Sequence, residues 1–425
     1  MQAPELVLRS PGRGLLALPW ELPLADWDET EVPLRDVEVG PSRHLVRFAE
    51  TDGVLWALKD LPERIARREY DVLRRLEDDG LPAVQPVGFV AQPEHETAIL
   101  VTRFLSGSWQ YRRLIARLPP NRPRHRARLF DAMISLLVDL HRHGVFWGDC
   151  SLNNTLFARD GQTLQAYLVD AETSEVHPTG LSDGQREFDL SILVENVAGG
   201  MIDLAESLDR PPEIVPQLVE EAAALPDRYA QLWDALHAAP VFAFGDRYRV
   251  EGVIRELNDL GFAVDEVALR PLGDGRSRLQ VAVGDRNYHS EQLRRLAGLD
   301  VGEGQARILL GDLAAHREWM RRRTGEDVAE WAAVRSWTET CLHPGMRSAH
   351  RALNGVGSEV QAYCDLLEVR WLLSERHGAD VGNEAALAEL GAGAPTDSAA
   401  KGAVADAPTG EFRLSAIADY ARDRE

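Results

Sequence analysis

Three residues in the middle of the chain have the types and the spacing needed to handle a phosphate group. Asp149 precedes Asn154 by five residues, and Asp170 closes the short apolar run Tyr167–Val169. A carboxylate beside an acceptor hydroxyl can orient it and take its proton, and amide and carboxylate oxygens are hard ligands that suit Mg²⁺. Phosphoryl transfer depends mainly on such positioning and charge neutralisation. The Asp/Asn spacing alone is common in loops, so its meaning depends on the elements around it.

A lysine upstream is a further residue that could bind a phosphate group. Only two of the 47 basic residues are lysine, Lys59 and Lys401, and all the others are arginine. A high-GC coding sequence explains the arginine excess, but a lysine in such a chain indicates a site that a planar guanidinium cannot fill. Lys59 ends the strand-like run Val54–Lys59, and Glu69 follows on a helix. A lysine held by a glutamate can reach nucleotide phosphates, although each residue alone is also explained as a surface charge.

The elements that must position these residues follow a definite order. Alternating and apolar runs predict strands over 36–48, 54–59, 84–90 and 97–105. Periods near 3.6 predict helices over 63–78, 108–117 and 125–143. The Asp149 loop comes directly after the last of these helices. This order predicts a small sheet that carries one helix, followed by a helical lobe.

This order of elements and residues resembles the protein-kinase-like superfamily, most closely its lipopolysaccharide-kinase and aminoglycoside-phosphotransferase branch. The resemblance covers a little over half of the chain and implies an α+β, bilobal protein-kinase-like fold, with a small β-rich N-terminal lobe and a helical C-terminal lobe. It implies that Asp149 is the catalytic base and that Asn154 and Asp170 bind Mg²⁺. It also implies that Lys59, paired with Glu69, anchors the phosphates of ATP.

The same resemblance assigns roles to further residues. Gly40 and Ser42 lie in the loop that would cover the phosphates, and the adenine is expected near Arg103 and Leu105, where a strand ends. Asp189 stands where kinase-like folds use an acid at the start of a helix to brace the catalytic loop. The simpler interpretation is that Asp189 is an ordinary acidic residue near the start of a helix, where its negative charge interacts favourably with the helix dipole.

Several positions depart from the family's pattern. The loop before Lys59 has one glycine in place of GxGxxG, and Ser151 stands where kinases of protein serine and threonine carry a lysine. Asp170-Ala-Glu172 replaces Asp-Phe-Gly, and no Ala-Pro-Glu follows. These departures favour a small-molecule or glycan kinase over a regulated protein kinase, and they leave a pseudokinase as the alternative.

Arginine residues are concentrated between positions 112 and 128. The plain interpretation is a solvated face in an arginine-rich chain. The sharper one is an anion-binding surface for a phosphorylated or acidic acceptor. Its candidate residues are Arg112, Arg113, Arg124 and Arg126. An RNA-linked role through this patch is a weaker alternative, because aromatic residues are not interleaved as a stacking platform requires.

The likeness to kinases ends near residue 245. Residues 246–390 are expected to form a second, smaller α+β domain. Phrases such as His289-Ser-Glu-Gln-Leu resemble a C-terminal domain of unknown function found fused to lipopolysaccharide-kinase-like domains in high-GC bacteria. Its expected strands and helices cover 262–269, 278–283, 249–260, 304–323, 326–342 and 357–377. Such a domain could recruit a protein partner or support self-association.

The ends of the chain are predicted to be less regular. Residues 1–35 form an irregular lead-in, and the kinase-like domain extends over 36–245. Residues 391–425 are predicted to be a flexible tail with a short terminal helix.

Composition and charge limit the classes of protein that fit. The 425 residues are 44% hydrophobic and carry a net charge of −21, which is ordinary for a soluble multidomain protein and repels nucleic acid in the bulk. No apolar run is long enough to span a membrane, and no signal peptide is recognised, so we expect a cytoplasmic protein without integral membrane contact. The three cysteines have no zinc spacing, and GxSxG, HExxH and GxxxxGK are missing.

The sequence therefore predicts an ATP- and Mg²⁺-dependent phosphotransferase that acts on a hydroxyl of a small-molecule, glycan or lipid-linked acceptor. The alternative is a nucleotide-binding adaptor without turnover, whose C-terminal domain recruits a partner. The two hypotheses differ in turnover, since both proteins would bind ATP.

Overall fold

The computed structural model describes residues 3–37, 43–117, 123–243, 247–272 and 276–392. Contacts divide the chain into two compact units. The first contains the residues up to Ala158 together with Gln165–Tyr229, and the second contains Arg159–Leu164 together with the chain from Ala230 onwards. The main boundary thus falls earlier than residue 245, and a short internal segment joins the second unit.

The first unit combines sheets and helices. The strands that begin in it are β1 (Glu5–Leu8), β2 (Leu34–Arg35), β3 (Val46–Thr51), β4 (Val54–Pro62), β5 (Gln85–Gln92), β6 (Thr97–Arg103), β7 (Ser108–Gln110), β8 (Val145–Phe146), β9 (Thr155–Asp160) and β11 (Glu175–Val176), and β10 (Thr163–Leu168) returns to it. The helices are α1 (Arg13–Leu16), α2 (Glu63–Asp78), α3 (Tyr111–Arg117), α4 (Pro123–Arg142), α5 (Asp183–Ser207) and α6 (Val215–Ala223). Helix α7 (Leu225–His237) begins in the first unit and continues into the second.

A six-stranded antiparallel sheet forms the N-terminal lobe, in the order β1-β5-β6-β4-β3-β2. Side chains alternate between the two faces of a strand, so Leu58 and Lys59 point to opposite faces of β4. Lys59, Leu100 and Phe89 are paired across β4, β6 and β5 and therefore share one face. Helix α2 covers this face, with Tyr70 edge-on to Phe89 at 5.6 Å between ring centroids. Lys59 therefore faces the helix that carries Glu69.

The other face of the sheet is covered by residues 13–32, the segment predicted to be an irregular lead-in. Its apolar side chains, among them Trp20 and Trp27, pack into one core with Trp56 and Leu58. Strand β1 extends the sheet, and the amide of Gln92 donates to the carbonyls of Trp20 and Leu22. The backbone of this segment is mostly irregular, and its burial was not predicted because its apolar residues have no helix or strand period. They are buried because they pack against a sheet whose strands come mostly later in the sequence.

The remainder of the first unit is mainly helical. The buried faces of α4 and α5 supply Leu136, Leu137 and Leu193 to its core. The helix predicted over 108–117 begins only at Tyr111, because Trp109 is buried where β7 pairs with β9. Short strands β8 and β11 pair with each other, beside the loop that holds Asp149. The observed lobes match the bilobal α+β organisation predicted from the sequence.

The second unit is an α+β domain, as predicted. Its strands are β12 (Val241–Ala243), β13 (Val264–Pro271) and β14 (Arg276–Val283), in the order β12-β14-β13. Its helices are α8 (Arg247–Asp259), α9 (Tyr288–Ala297), α10 (Glu303–Thr324), α11 (Glu330–Trp337), α12 (His343–Ala352), α13 (Glu359–His377) and α14 (Gly382–Ala392). A π-helical turn at Thr338–Leu342 joins α11 to α12. The helical core centres on Trp337 and Tyr363, which both donate to the carboxylate of Asp312.

The tip of the β9–β10 hairpin, Arg159–Leu164, belongs to the second unit. Asp160 accepts hydrogen bonds from the amides of Gly304 and Gln305 at 2.7 and 2.8 Å and so caps the first turn of α10. A Cβ atom at residue 304 would lie 2.2 Å from the carbonyl oxygen of Asp160, so the close approach requires glycine. The side chain of Gln361 both donates to and accepts from the backbone of Gly161 at 3.0 Å.

A buried ion pair completes this anchor. The guanidinium of Arg159 lies 2.9 Å from the carboxylate of Asp365, and both side chains are nearly inaccessible to solvent. Gln361 also donates to Asp365 at 2.8 Å. Burial lowers the pKa of Arg159, and the charge of Glu368, whose carboxylate lies 4.0 Å from the guanidinium, opposes that shift.

Removing the acidic partner is expected to destabilise the second unit. Asp365→Ala removes the shorter of two carboxylate contacts to the buried Arg159 cation and leaves Glu368, whose carboxylate lies 4.0 Å away. Breaking a buried pair by removing one partner typically costs about 3–5 kcal/mol, and the remaining Glu368 contact lowers that cost. Urea denaturation followed by tryptophan fluorescence should show an earlier transition for Asp365→Ala. The control is Glu318→Gln, which removes an exposed carboxylate paired with Arg321 and should leave the midpoint unchanged. Equal midpoints for wild type and Asp365→Ala would contradict the expectation.

Candidate active site

One ammonium group connects three elements of the first unit. The Nζ of Lys59 on β4 lies 3.1 Å from Oε2 of Glu69 on α2 and 2.8 Å from Oδ2 of Asp170, which follows β10. The Oε1 of Glu69 also accepts from the amide of Ala171 at 3.3 Å. Glu69 is 1% exposed, Lys59 14% and Asp170 30%, so the side of this cluster nearest solvent is Asp170. The lysine and glutamate singled out in the sequence are thus direct partners.

Burial and charge act in opposite directions on this cluster. Burial raises the pKa of Glu69 to about 7, against the opposing effect of the Lys59 charge, and the Asp170 charge raises it further. Burial lowers the pKa of Lys59, but the charges of Glu69 and Asp170 outweigh it, so the net shift is upward. Two carboxylates therefore compete for one ammonium, and Lys59 remains positively charged.

The loop between β8 and β9 presents Asp149. The side-chain amide of Asn154 donates to Oδ2 of Asp149 at 2.9 Å and to its carbonyl at 3.2 Å, which closes the loop on itself. Gly148 has φ +80, and a Cβ there would lie 2.9 Å from the carbonyl oxygen of Thr173. Only glycine adopts this turn readily, so Gly148 sets the direction in which the chain enters Asp149.

Asn154 and Asp170 lie at the base of one hairpin. Asn154 directly precedes β9, Asp170 follows β10, and the amide of Val169 donates to the carbonyl of Asn154 at 3.1 Å. Since the Asn154 amide nitrogen donates to Asp149, its side-chain oxygen is the group left to act as a ligand. No cluster of three His, Cys, Asp or Glu side chains that could hold a metal occurs in the described part of the chain. One carboxylate and one amide oxygen still fit Mg²⁺, which keeps waters and takes phosphate oxygens as further ligands.

Asp189 on α5 holds the backbone that leads into Asp149. Its fully buried carboxylate accepts from the amide of Trp147 at 2.7 Å and from the amide of Gly148 at 2.8 Å. The Nε2 of His141 lies 3.1 Å from the same carboxylate, and its Nδ1 lies 2.8 Å from the hydroxyl of Tyr229. A buried carboxylate with this many donors is satisfied, and it restrains the loop from beneath.

The nucleotide-contact residues are placed as follows. Arg103 is the last residue of β6 and is exposed, and Leu105, two residues later, is half-buried. The intervening Phe104 donates its amide to the carbonyl of Leu55 on β4. Gly40 and Ser42 lie outside the described residues.

The arginine-rich segment is not one uniform surface. Arg126 is 4% exposed, and its guanidinium makes two 2.7 Å bonds to the carboxylate of Glu221, so its charge is already neutralised. Its assignment to an anion-binding surface is therefore corrected: sequence patterning does not show which arginine finds an acidic partner inside the fold. Arg112 and Arg113 are half-buried on α3, with the Arg112 guanidinium 5.3 Å from the Tyr111 ring centroid. The side chain of Arg124 lies outside the described residues.

The structure adds residues that sequence reasoning did not select. Asn196 on α5 donates to Asp149, and Glu172 lies 3.2 Å from the ring of His44. Arg68 on α2 donates to the carbonyl of Ser174. The sequence contains one indication of the position of Asn196. It follows Asp189 by seven residues, which places it two turns further along the same face of the helix.

A sheet carrying a paired lysine and glutamate, followed by a helical lobe with an Asp/Asn loop and a second aspartate, defines a kinase-like fold. Comparisons with known proteins agree. Residues 52–208 match the model of the lipopolysaccharide kinase (Kdo/WaaP) family, and residues 231–391 match that of a domain of unknown function, DUF4032. The chain thus combines a region similar to lipopolysaccharide kinases with a domain of unknown function, and the resemblance stated from the motifs is confirmed.

Matches to individual proteins are weaker. A solved structure described as WaaP in complex with acyl carrier protein is 20% identical to this chain over 54% of its length and 99% of the other chain, with a TM-score of 0.34. A score this low does not define a fold, so the assignment rests on the contacts above and on the family models. No curated protein sequence matches the chain. Among the described helices, none is long and apolar enough to cross a bilayer.

The histidine beneath the loop should make the first unit sensitive to acid. Burial lowers the pKa of His141 below its ordinary value of 6.5, although Asp189 opposes this. Below about pH 6.5, the unfolded chain therefore binds more protons at this position than the folded protein does. The contribution of His141 to the free energy of unfolding is complete above about pH 6.5 and declines as the pH falls.

His141→Asn should remove this component. We expect the variant to be less stable at pH 7 but to lose less of its melting temperature than the wild type between pH 7 and pH 5. His237→Asn replaces an exposed histidine and should retain the wild-type dependence. Parallel pH dependences for wild type and His141→Asn would show that His141 does not contribute.

Proposed function

We propose that the first unit is an ATP- and Mg²⁺-dependent phosphotransferase whose acceptor is a hydroxyl group of a small molecule, a glycan or a lipid-linked compound. The observation that carries the proposal is the Lys59 ammonium, placed within hydrogen-bonding distance of both Glu69 and Asp170. In a chain with 45 arginines for two lysines, this geometry supports a role that needs a compact point charge.

Asp149 is the group that would handle the acceptor. Each of its carboxylate oxygens already accepts one amide hydrogen, from Asn154 and from Asn196, and a carboxylate oxygen has a second lone pair. That lone pair can accept the acceptor hydroxyl and then its proton as the oxygen attacks the γ-phosphorus. The bond between the γ-phosphorus and the bridging oxygen breaks, and ADP leaves.

Asn154 and Asp170 would hold the divalent cation, which supplies neutralisation of the phosphate charge. The Lys59 ammonium lies 2.8 Å from Oδ2 of Asp170 and would contact a phosphate oxygen bound beside it. Glu69 holds the lysine from the buried side, so the ammonium stays at the cleft when Asp170 turns to another partner.

The chemical class of the acceptor is inferred mainly from two differences between this sequence and protein kinases. Ser151 replaces the lysine of protein kinases, and the stretch from Asp170 to the start of α5 is short, so little chain is available to dock a protein substrate. Arg112 and Arg113, half-buried on α3, are the residues that we propose bind an anionic acceptor. We also propose that the reaction takes place in the cytoplasm, where ATP is available.

Replacing the base tests the proposal. Asp149→Ala should lower the turnover of MgATP by about 10²–10⁴-fold, which is the usual contribution of a general base. The reaction is followed as ADP release, with water or added glycan hydroxyls as acceptor. The matched control is Asp71→Ala, which removes an exposed carboxylate on α2 and should retain wild-type turnover.

Two outcomes would contradict the proposal. Equal turnover of Asp149→Ala and wild type would remove Asp149 from the reaction. MgATP binding by the wild type without any turnover would favour the nucleotide-binding adaptor instead.

A further inference from the structure

A residue outside the motifs contacts the carboxylate of Asp149. The side-chain amide of Asn196 donates to Oδ1 of Asp149 at 3.1 Å and to the carbonyl of Cys150, also at 3.1 Å. Asn196 is half-buried on α5, in the first unit. Its contact is separate from that of Asn154, which reaches the other carboxylate oxygen.

The two amides together restrain the carboxylate. An aspartate side chain turns about two bonds, and its outer torsion is broad, so one hydrogen bond leaves the carboxylate free to rotate. Donors from Asn154 in the loop and Asn196 on the helix contact different oxygens and oppose that rotation. The direction of the remaining lone pairs is then set by the fold.

The same face of α5 supports the loop on both sides of Asp149. Asp189 binds the amides of Trp147 and Gly148, before the aspartate, and Asn196 binds the carbonyl of Cys150, after it. At 3.6 residues per turn, seven residues are close to two full turns, which places both side chains on one stripe of the helix.

The chemistry of Asn196 suits this position. Its amide offers two hydrogens, which satisfy the carboxylate oxygen and the carbonyl together. A carboxylate there would repel Asp149, and an apolar side chain would donate nothing.

We infer that Asn196 is a positioning residue for the phosphotransferase reaction: by holding Oδ1 of Asp149 it directs the carboxylate toward the acceptor hydroxyl. The inference rests on the proposed function, because it gives Asp149 its role. It predicts that the loss of Asn196 affects the chemical step and not nucleotide binding.

The first test is the division between kcat and KM. Asn196→Ala should lower kcat for MgATP turnover by about 10–100-fold, the range expected for a hydrogen bond to a charged group, and leave KM for MgATP near the wild-type value. Glu195→Ala changes the exposed neighbour on the same helix and should behave like the wild type. Melting temperatures establish that each variant is folded.

The second test uses a substitution of nearly the same size. In Asn196→Asp the introduced carboxylate repels Asp149 at pH 8. Because like charges raise the pKa of one member of such a pair, the two carboxylates take up one proton as the pH falls, and the protonated carboxyl can then donate an O–H to the same oxygen. The deficit in kcat relative to the wild type should therefore shrink as the pH falls. A purely structural role for Asn196 would give a deficit that does not change with pH.

The outcomes separate this inference from the proposed function. If the wild type turns over MgATP and Asn196→Ala has an equal kcat, or loses only affinity for MgATP, the inference is wrong and the function stands. A pH-independent deficit in Asn196→Asp also overturns the inference. If the wild type shows no turnover, the proposed function is wrong and the inference falls with it.

Discussion

The arrangement of the site in the first unit depends on one charged group, the ammonium of Lys59. It joins strand β4, helix α2 and the end of strand β10, three elements that are distant in the sequence. A buried glutamate without that ammonium would have to be neutralised, because burial already raises the pKa of Glu69 to about 7. The same ammonium balances Asp170 at the more exposed side. Lys59 therefore specifies the relative placement of the sheet, the helix and the loop on which the proposed reaction depends.

Helix α5 has the corresponding role for the loop of Asp149. Its buried Asp189 orders the backbone before the loop aspartate, and Asn196 contacts the side chain itself. Neither contact requires a ligand, so the loop is organised before any substrate binds. Preorganisation of this kind is what phosphoryl transfer needs from a protein, because most of its catalysis is positioning and electrostatics.

Local patterns predict much of this site. The period of residues 63–78 predicts α2 with the bounds that the structure shows, and the unusual lysine pointed to the partner of Glu69. Contacts that depend on distant parts of the chain were not predictable in this way. The burial of Trp20 and Trp27 is decided by the sheet, and the pairing of Arg126 with Glu221 by helix packing. Asn196 was missed because an asparagine inside a helix has no local signature until its partner is known.

The central claim is that nucleotide and Mg²⁺ bind together at Asp170, and ligand-dependent stability tests it most directly. Melting curves would be recorded for the wild type and Asp170→Asn, with ATP plus Mg²⁺ and with ATP plus EDTA. A ligand at about 100 times its Kd adds about 2.7 kcal/mol of stability, which corresponds to a rise of a few degrees in Tm. We predict this rise for the wild type with ATP and Mg²⁺ and its loss in Asp170→Asn. An equal rise in the variant, or no rise in the wild type, would contradict the claim.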